Sequence, residues 1–178
     1  MKKLDTRDLY KRKCELEGLR DAITTAREEL EDAEKELANF TPETEVPPHI
    51  QALADSLGEE NPLEAYKESK RSELEEAVSE AEGNLESARI DFGEDEESEL
   101  AELETLENEI SDFMHGEAMI PEDCFEDYAR ELAEDLHWKA VREASWPFTC
   151  IDWSEAAEEL RQDYSEVEYQ GQTYLARS

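Results

Sequence analysis

Carboxylates are the one chemically active residue type that this chain holds in quantity, with 51 Asp and Glu against 18 Lys and Arg and a net charge of −33. They are not spread evenly. Between Arg89 and Arg130 no Lys or Arg occurs in 40 residues, while 16 positions are acidic. Glu94 to Asp112 alone carries ten carboxylates in 19 residues. On a helix rising ~1.5 Å per residue this is roughly one charge per 3 Å. A single DNA strand presents a phosphate about every 3.4 Å. The chemistry this spacing suggests is Coulombic: a carboxylate surface offered where a nucleic-acid-binding protein expects phosphates. The expected contact residues are Glu94, Glu96, Glu97, Glu102, Glu104, Glu109 and Asp112, with Glu122, Asp123, Glu126, Asp127, Glu134 and Asp135 continuing the surface. A solvated acidic helix face is the simpler reading, and charge alone favours it.

Other chemistries find little support. Acid pairs are so abundant that none stands out as a general acid and base. His49, His115 and His137 are scattered and match no metal-ligand spacing. Glu94-Asp95-Glu96-Glu97 lacks the alternating ligands and central Gly of a calcium loop. With six glycines and no phosphate-binding loop or nucleophile elbow, the chain is expected to be no enzyme, with no catalytic residue, cofactor or dedicated metal site. Cys14, Cys124 and Cys150 are odd in number, far apart and outside any CxxC pair, so they read as reduced, packed thiols. Cys150, between Phe148 and Trp153, reads as core. The basic cluster Lys2, Lys3, Arg7, Lys11, Arg12 and Lys13 is interleaved with Asp5 and Asp8 and reads as a salt-bridging partner for acidic helices.

Composition bounds the architecture. Hydrophobic residues make up 38 % and charged residues 39 % of 178 positions, against about 45–50 % and 25 % in ordinary soluble domains. The core must be thin, which suits long helices. Such a charge repels nucleic acid and anionic membrane and steers the chain toward basic protein surfaces. No apolar run reaches the ~20 residues of a membrane span, and MKKLDTRDLYKRK lacks the apolar segment of a signal peptide. A cytoplasmic location is expected.

The elements that would carry the acids follow from periodicity. Leu9, Leu16, Ile23, Leu30 and Leu37 recur every seven residues, and Arg12, Leu19, Ala26, Ala33 and Phe40 fill the second seam position, which predicts a long helix over 5–40. Asp5 or Thr6 would cap it, and Thr41-Pro42 would stop it. A short helix is expected at His49–Leu57. Asn61-Pro62 opens a second heptad run through Leu74, Val78, Ala81, Leu85, Ala88 and Phe92. Gly93 interrupts it, and Leu103, Leu106, Ile110 and Phe113 predict a third helix over about 95–114. The two heptad runs are expected to pair within one chain, with a homodimer as the alternative. Ile120-Pro121 would open a helix to about Trp138, with Phe125, Tyr128, Ala129, Leu132 and Leu136 inward. A loop at Trp146-Pro147 follows, then a helix capped by Asp152, then a β-hairpin turning at Gln170-Gly171. The expected fold class is mostly α (α+β). A helical coiled-coil hairpin occupies residues 1–113, and a small acidic α+β module occupies residues 114–178.

The last 60 residues, IPEDCFEDYARELAEDL and CIDWSEAAEELRQDYSEVEYQGQTYLAR, resemble the C-terminal part of ArdA-type antirestriction proteins and related phage proteins. The likeness lies in the acidic helix at Phe125–Leu136, the Asp152-Trp153 cap leading to Ala156 and Leu160, and the Tyr164 to Tyr174 hairpin. It covers about a third of the chain, and residues 5–113 depart from it. What it implies is an elongated acidic protein of phage or mobile-element origin that mimics bent duplex DNA and occupies the DNA groove of type I restriction-modification enzymes; a CRISPR effector with a basic DNA groove would fit the same physics. The chain would not bind nucleic acid itself. The alternative is a coiled-coil scaffold or adaptor joined through Leu9, Leu16, Leu19, Ile23, Leu30 and Leu37, its acidity serving solubility.

Overall fold

A computed structural model describes residues 3–41, 48, 52, 62–142 and 148–177. The protein is mostly helical with one small antiparallel sheet. Strand β1 (Leu4–Asp5) leads directly into α1 (Thr6–Asn39). Asp5 caps α1, its Oδ1 accepting from the Arg7 backbone N–H at 2.9 Å. Helix α2 (Pro62–Asp91) starts at the expected proline, and Gly93 separates it from α3 (Glu94–Glu109). Strand β2 (Ala118–Pro121), α4 (Phe125–Arg142), α5 (Trp153–Leu160), β3 (Tyr164–Tyr169) and β4 (Gln172–Arg177) complete the order. Asp152 caps α5 by accepting from the Ser154 and Glu155 N–H groups. Gln170 and Gly171 both take positive φ, 49° and 72°, as the tight β3–β4 turn requires. The expected helix at His49–Leu57 and the Trp146-Pro147 loop fall outside the described residues, apart from residue 52.

Two compact units emerge, one from residues 1–17 with 94–178 and the other from residues 18–93. This differs from a division at 113. The reason is that the chain's start is part of the sheet, whose strand order is β1-β2-β4-β3. Leu4 pairs with Met119, Ile120 with Leu175, and Val167 with Tyr174. Thr6, fully buried, donates its N–H to the Glu117 carbonyl at 3.0 Å, and its Oγ1 accepts from the Glu117 N–H at 2.8 Å. Neither β1 nor β2 was expected. Residues 118–121 are strand rather than helix start because Met119 and Ile120 are needed on opposite faces of the sheet, and α4 begins only after a tight turn at Glu122–Cys124.

Alternation assigns the faces. Ile120, Leu175 and Tyr164 share one face, where Phe125, Ala129 and Ala157 from α4 and α5 close a core. The Tyr128 and Tyr164 hydroxyls hydrogen-bond there at 2.9 Å. Met119, Val167, Tyr169 and Tyr174 share the other face, where α3 meets β3 and contributes Leu100, Leu103 and Leu106. Cover on both faces explains three consecutive buried residues in β4, Tyr174, Leu175 and Ala176. Leu136 does not join the core but is 68 % exposed, two turns past Ala129 and just before a kink at His137. Helix α3 ends at Glu109, short of 114: the Ile110 N–H makes the last α-helical bond, to Leu106, and the Phe113 N–H then closes a tighter turn on Ile110.

In the second unit, the rest of α1 and α2 form a helical hairpin. Leu37 and Phe40 near the end of α1 line a cleft with Glu64, Lys67, Glu68, Arg71 and Glu75 of early α2, so the helices run antiparallel. Ala26, Ala81 and Leu85 are buried, and Ile23, Leu30, Leu37, Leu74 and Val78 are half-buried. Burial on this seam is complete at Ala26, Ala81 and Leu85, where alanines let the helices approach closely.

Gly18 and Gly83 lie within helices, and a Cβ at either meets nothing. Gly18→Ala and Gly83→Ala should each stabilise by about 0.5–1 kcal/mol, read as a raised urea midpoint. Gly116→Ala should destabilise, because Gly116 holds φ at +98° and a Cβ there meets the Arg7 guanidinium side chain. A fragment of residues 114–178 would expose Met119, Val167, Tyr169 and Tyr174 to water. It should therefore lack a cooperative thermal transition by circular dichroism, whereas the full chain shows one.

Candidate functional site: a divided acidic surface

Helix α3 carries nine of the ten carboxylates between Glu94 and Asp112, and its leucines decide where they point. With Leu100, Leu103 and Leu106 inward, Glu99 and Glu107 fall beside the core. Each is matched by a cation from α1. Arg12 Nη2 donates to Glu99 at 2.9 Å, and Lys13 Nζ lies 3.2 Å from Glu107 and 2.6 Å from Glu17. Glu102 accepts the Gln170 backbone N–H at 3.0 Å and so steadies the strained hairpin turn. Glu96 and Glu104 are half-buried. Glu94, Asp95, Glu97, Glu109 and Asp112 are exposed.

Beyond Glu94, which starts it, the outermost line of α3 is not acidic. Ser98, Ala101, Thr105 and Asn108 face solvent, and the last two bond back to the Ala101 and Glu104 carbonyls. Acids flank this line in two rows, Glu97 with Glu104 and Asp95 with Glu102 and Glu109. Members of a row are seven residues apart, about 10.5 Å along the axis. One charge per 3 Å is therefore correct along the sequence but not along any face, and the rows do not copy a phosphate strand in register.

The second acidic set is not a continuation of the first. Glu122, Asp123, Glu126, Asp127, Glu134 and Asp135 belong to α4 and the turn before it, which cover the opposite side of the sheet. Asp123, Glu126, Asp127 and Asp135 are exposed there, and Glu134 is half-buried. Glu122 is held by Arg161 at 2.6 Å, and Arg161 also bridges Glu166. Helix α5 adds Glu155, Glu158 and Glu159, which were not anticipated. Glu158 shares an open cleft with Glu122, Asp123 and Glu126. Their placement was legible in principle, since an Asp152 cap with Ala156 and Ala157 inward leaves 155, 158 and 159 outward.

The expected coiled-coil seam is also split between the units. Leu9 and Leu16 are buried in the first, with Leu19, Ile23, Leu30 and Leu37 half-buried. The described cations of the basic cluster, Lys3, Arg7, Lys11, Arg12 and Lys13, pair internally. Lys3 binds Glu131, Arg7 binds Asp5, and Lys11 binds Asp8. The Arg7 hydrogen bonds hold the Asp5 carboxyl down at about 2. Glu99 raises Arg12, and Glu17, then Glu107, raise Lys13 against the opposing effect of burial. Burial, reinforced by Glu99 and Glu102, raises Tyr169.

Among the described residues no group of three His, Cys, Asp or Glu is arranged to hold a metal ion. No helix among them is long and apolar enough to cross a membrane. His115 and His137 are exposed. Cys14 and Cys150 are exposed rather than packed, and Cys124 is half-buried. Cys150 lies in a short turn at Phe148–Cys150 that leads to the α5 cap, which keeps its thiol at the surface.

No protein-family model, curated protein or solved structure matches the chain.

A surface so one-sided in charge repels itself. Raising salt from about 0.01 to 0.1 M shortens the Debye length from about 30 to 10 Å. The urea midpoint should rise over that range with an unchanged slope. A falling midpoint would mean that the internal ion pairs outweigh the repulsion.

Proposed function

We propose that the protein is an anti-defence inhibitor of phage or mobile-element origin. Its acidic surface would occupy the basic DNA groove of a host restriction-modification or CRISPR complex, as the resemblance to ArdA-type proteins suggests. The observation that carries this reading is the exposed carboxylate set of α3, in a stretch of 40 residues without a cation. A groove that neutralises phosphates is attracted by any aligned anion, and the attraction weakens with salt. Because the rows on α3 are spaced more widely than phosphates, recognition would act through the summed field. The internal pairing of the basic cluster supports the expectation that the chain does not itself bind nucleic acid. The reading calls for no cofactor and no catalytic step.

A second reading, a coiled-coil scaffold or adaptor, is favoured by one observation, the half-buried seam of the α1–α2 hairpin. Under it, acid-to-base changes on α3 are silent and seam changes alter oligomeric state.

Plating efficiency separates the two. Cells carrying a panel of type I restriction and CRISPR systems would express the chain and be challenged with targeted and non-targeted phage. Rescue of only the targeted phage is expected. It should be lost when Glu94, Glu97, Glu104 and Glu109 are all changed to Lys, with circular dichroism unchanged. Rescue that survives this fourfold reversal would sink the mimicry.

A further inference from the structure

We infer that Arg12 and Lys13 are positioning residues that clasp the acidic helix α3 and hold it in place through Glu99 and Glu107. This goes beyond the inhibitory reading and does not depend on it. Helix α3 cannot balance its own charge, since it holds nine acids and no base. Its first four residues, Glu94 to Glu97, sit at the helix end where negative charge is favourable. Glu104, Glu107 and Glu109 sit toward the other end, where it is not. Pairs such as Asp95 and Glu99, or Glu104 and Glu107, set like charges one turn apart.

Both cations come from α1, and they grip the two ends of the leucine stripe. Arg12 meets Glu99 through Nη2 at 2.9 Å and Nε at 3.2 Å. Lys13 meets Glu107, eight residues on and about 12 Å further along the helix. The Lys13 side chain is only 9 % exposed, and its ammonium reaches Glu17 as well. Without it, Glu17 and Glu107, both partly buried, would lose the cation that joins them. A buried ion pair that loses one partner is costly because the other charge stays behind. The cost would fall first on α3, which holds no base of its own.

Hydrogen exchange followed by mass spectrometry tests this. In Lys13→Met and in Arg12→Gln, peptides over Leu100–Ile110 should exchange about tenfold faster or more. Peptides over Gln172–Arg177 should keep their rates, and Lys13→Arg should retain most of the protection. Should Lys13→Met fail to fold, Glu107→Gln, which breaks the same contact from the other side, gives the same readout. Unchanged α3 protection would overturn the inference. So would loss of α3 and β4 protection in step, which would mark a general loss of stability.

Discussion

Self-repulsion is the constraint that the rest of this structure answers to. With nearly three acids for each base, cations are scarce, and where they are placed matters more than how many there are. Most exposed ion pairs contribute little, and several here are ordinary contacts one helical turn apart, as at Lys35, Lys67 and Arg71. A different group joins elements distant in sequence. Lys3 meets Glu131, Arg12 meets Glu99, Lys13 meets Glu107, and Arg161 meets Glu122. Each stands where an acidic helix or turn must approach a hydrophobic layer. Other described acids, Glu94, Asp95 and Glu97 among them, are exposed to water.

A thin core follows from the same composition and explains why the chain's start belongs with its end. Strands β2 and β4 need apolar cover on two faces, and residues 114–178 supply it for one face only. Helix α3 and the first turns of α1 supply the other, so residues 94–109 are structural through their leucines and polar through everything else. The double hydrogen bond between Thr6 and Glu117 fixes this closure at its least tolerant point, a fully buried backbone crossing. In the helical hairpin, alanines at the seam substitute close approach for bulk.

What was legible in the sequence was local. The heptads of α1 and α2, the Asp5 and Asp152 caps, the break at Gly93 and the Gln170-Gly171 turn each rest on a few neighbouring residues, and each appears as expected. Strands β1 and β2 were not legible. They are two and four residues long, too short for alternation to declare itself, and they exist only through pairing with distant segments, β1 with β2 across more than 100 positions and β2 with β4 across more than 50. Pro121 added a helix-start signal that burial of Met119 and Ile120 overrode. The acidic surface was legible in amount but not in arrangement. Counting along a chain ignores that a helix distributes its residues around a circle, and nothing local showed that α3 and α4 lie on opposite sides of one sheet.

That separation limits how the acidity can act. Helix and sheet layers stack roughly 10 Å apart, so the axes of α3 and α4 lie roughly 20 Å from one another across the sheet, and their outward acidic faces further still. The Debye length at physiological ionic strength is about 8 Å. A basic surface approaching α3 is therefore attracted chiefly by the rows flanking Ser98, Ala101, Thr105 and Asn108, and only weakly by the carboxylates of α4 and α5. Net charge, which adds the two faces together, overstates what any one partner experiences at close range. The quantity that matters for recognition is the charge each face has left after its internal partners are subtracted. On α3, Arg12 and Lys13 offset the charges of Glu99 and Glu107, so these two acids add little to the outward field.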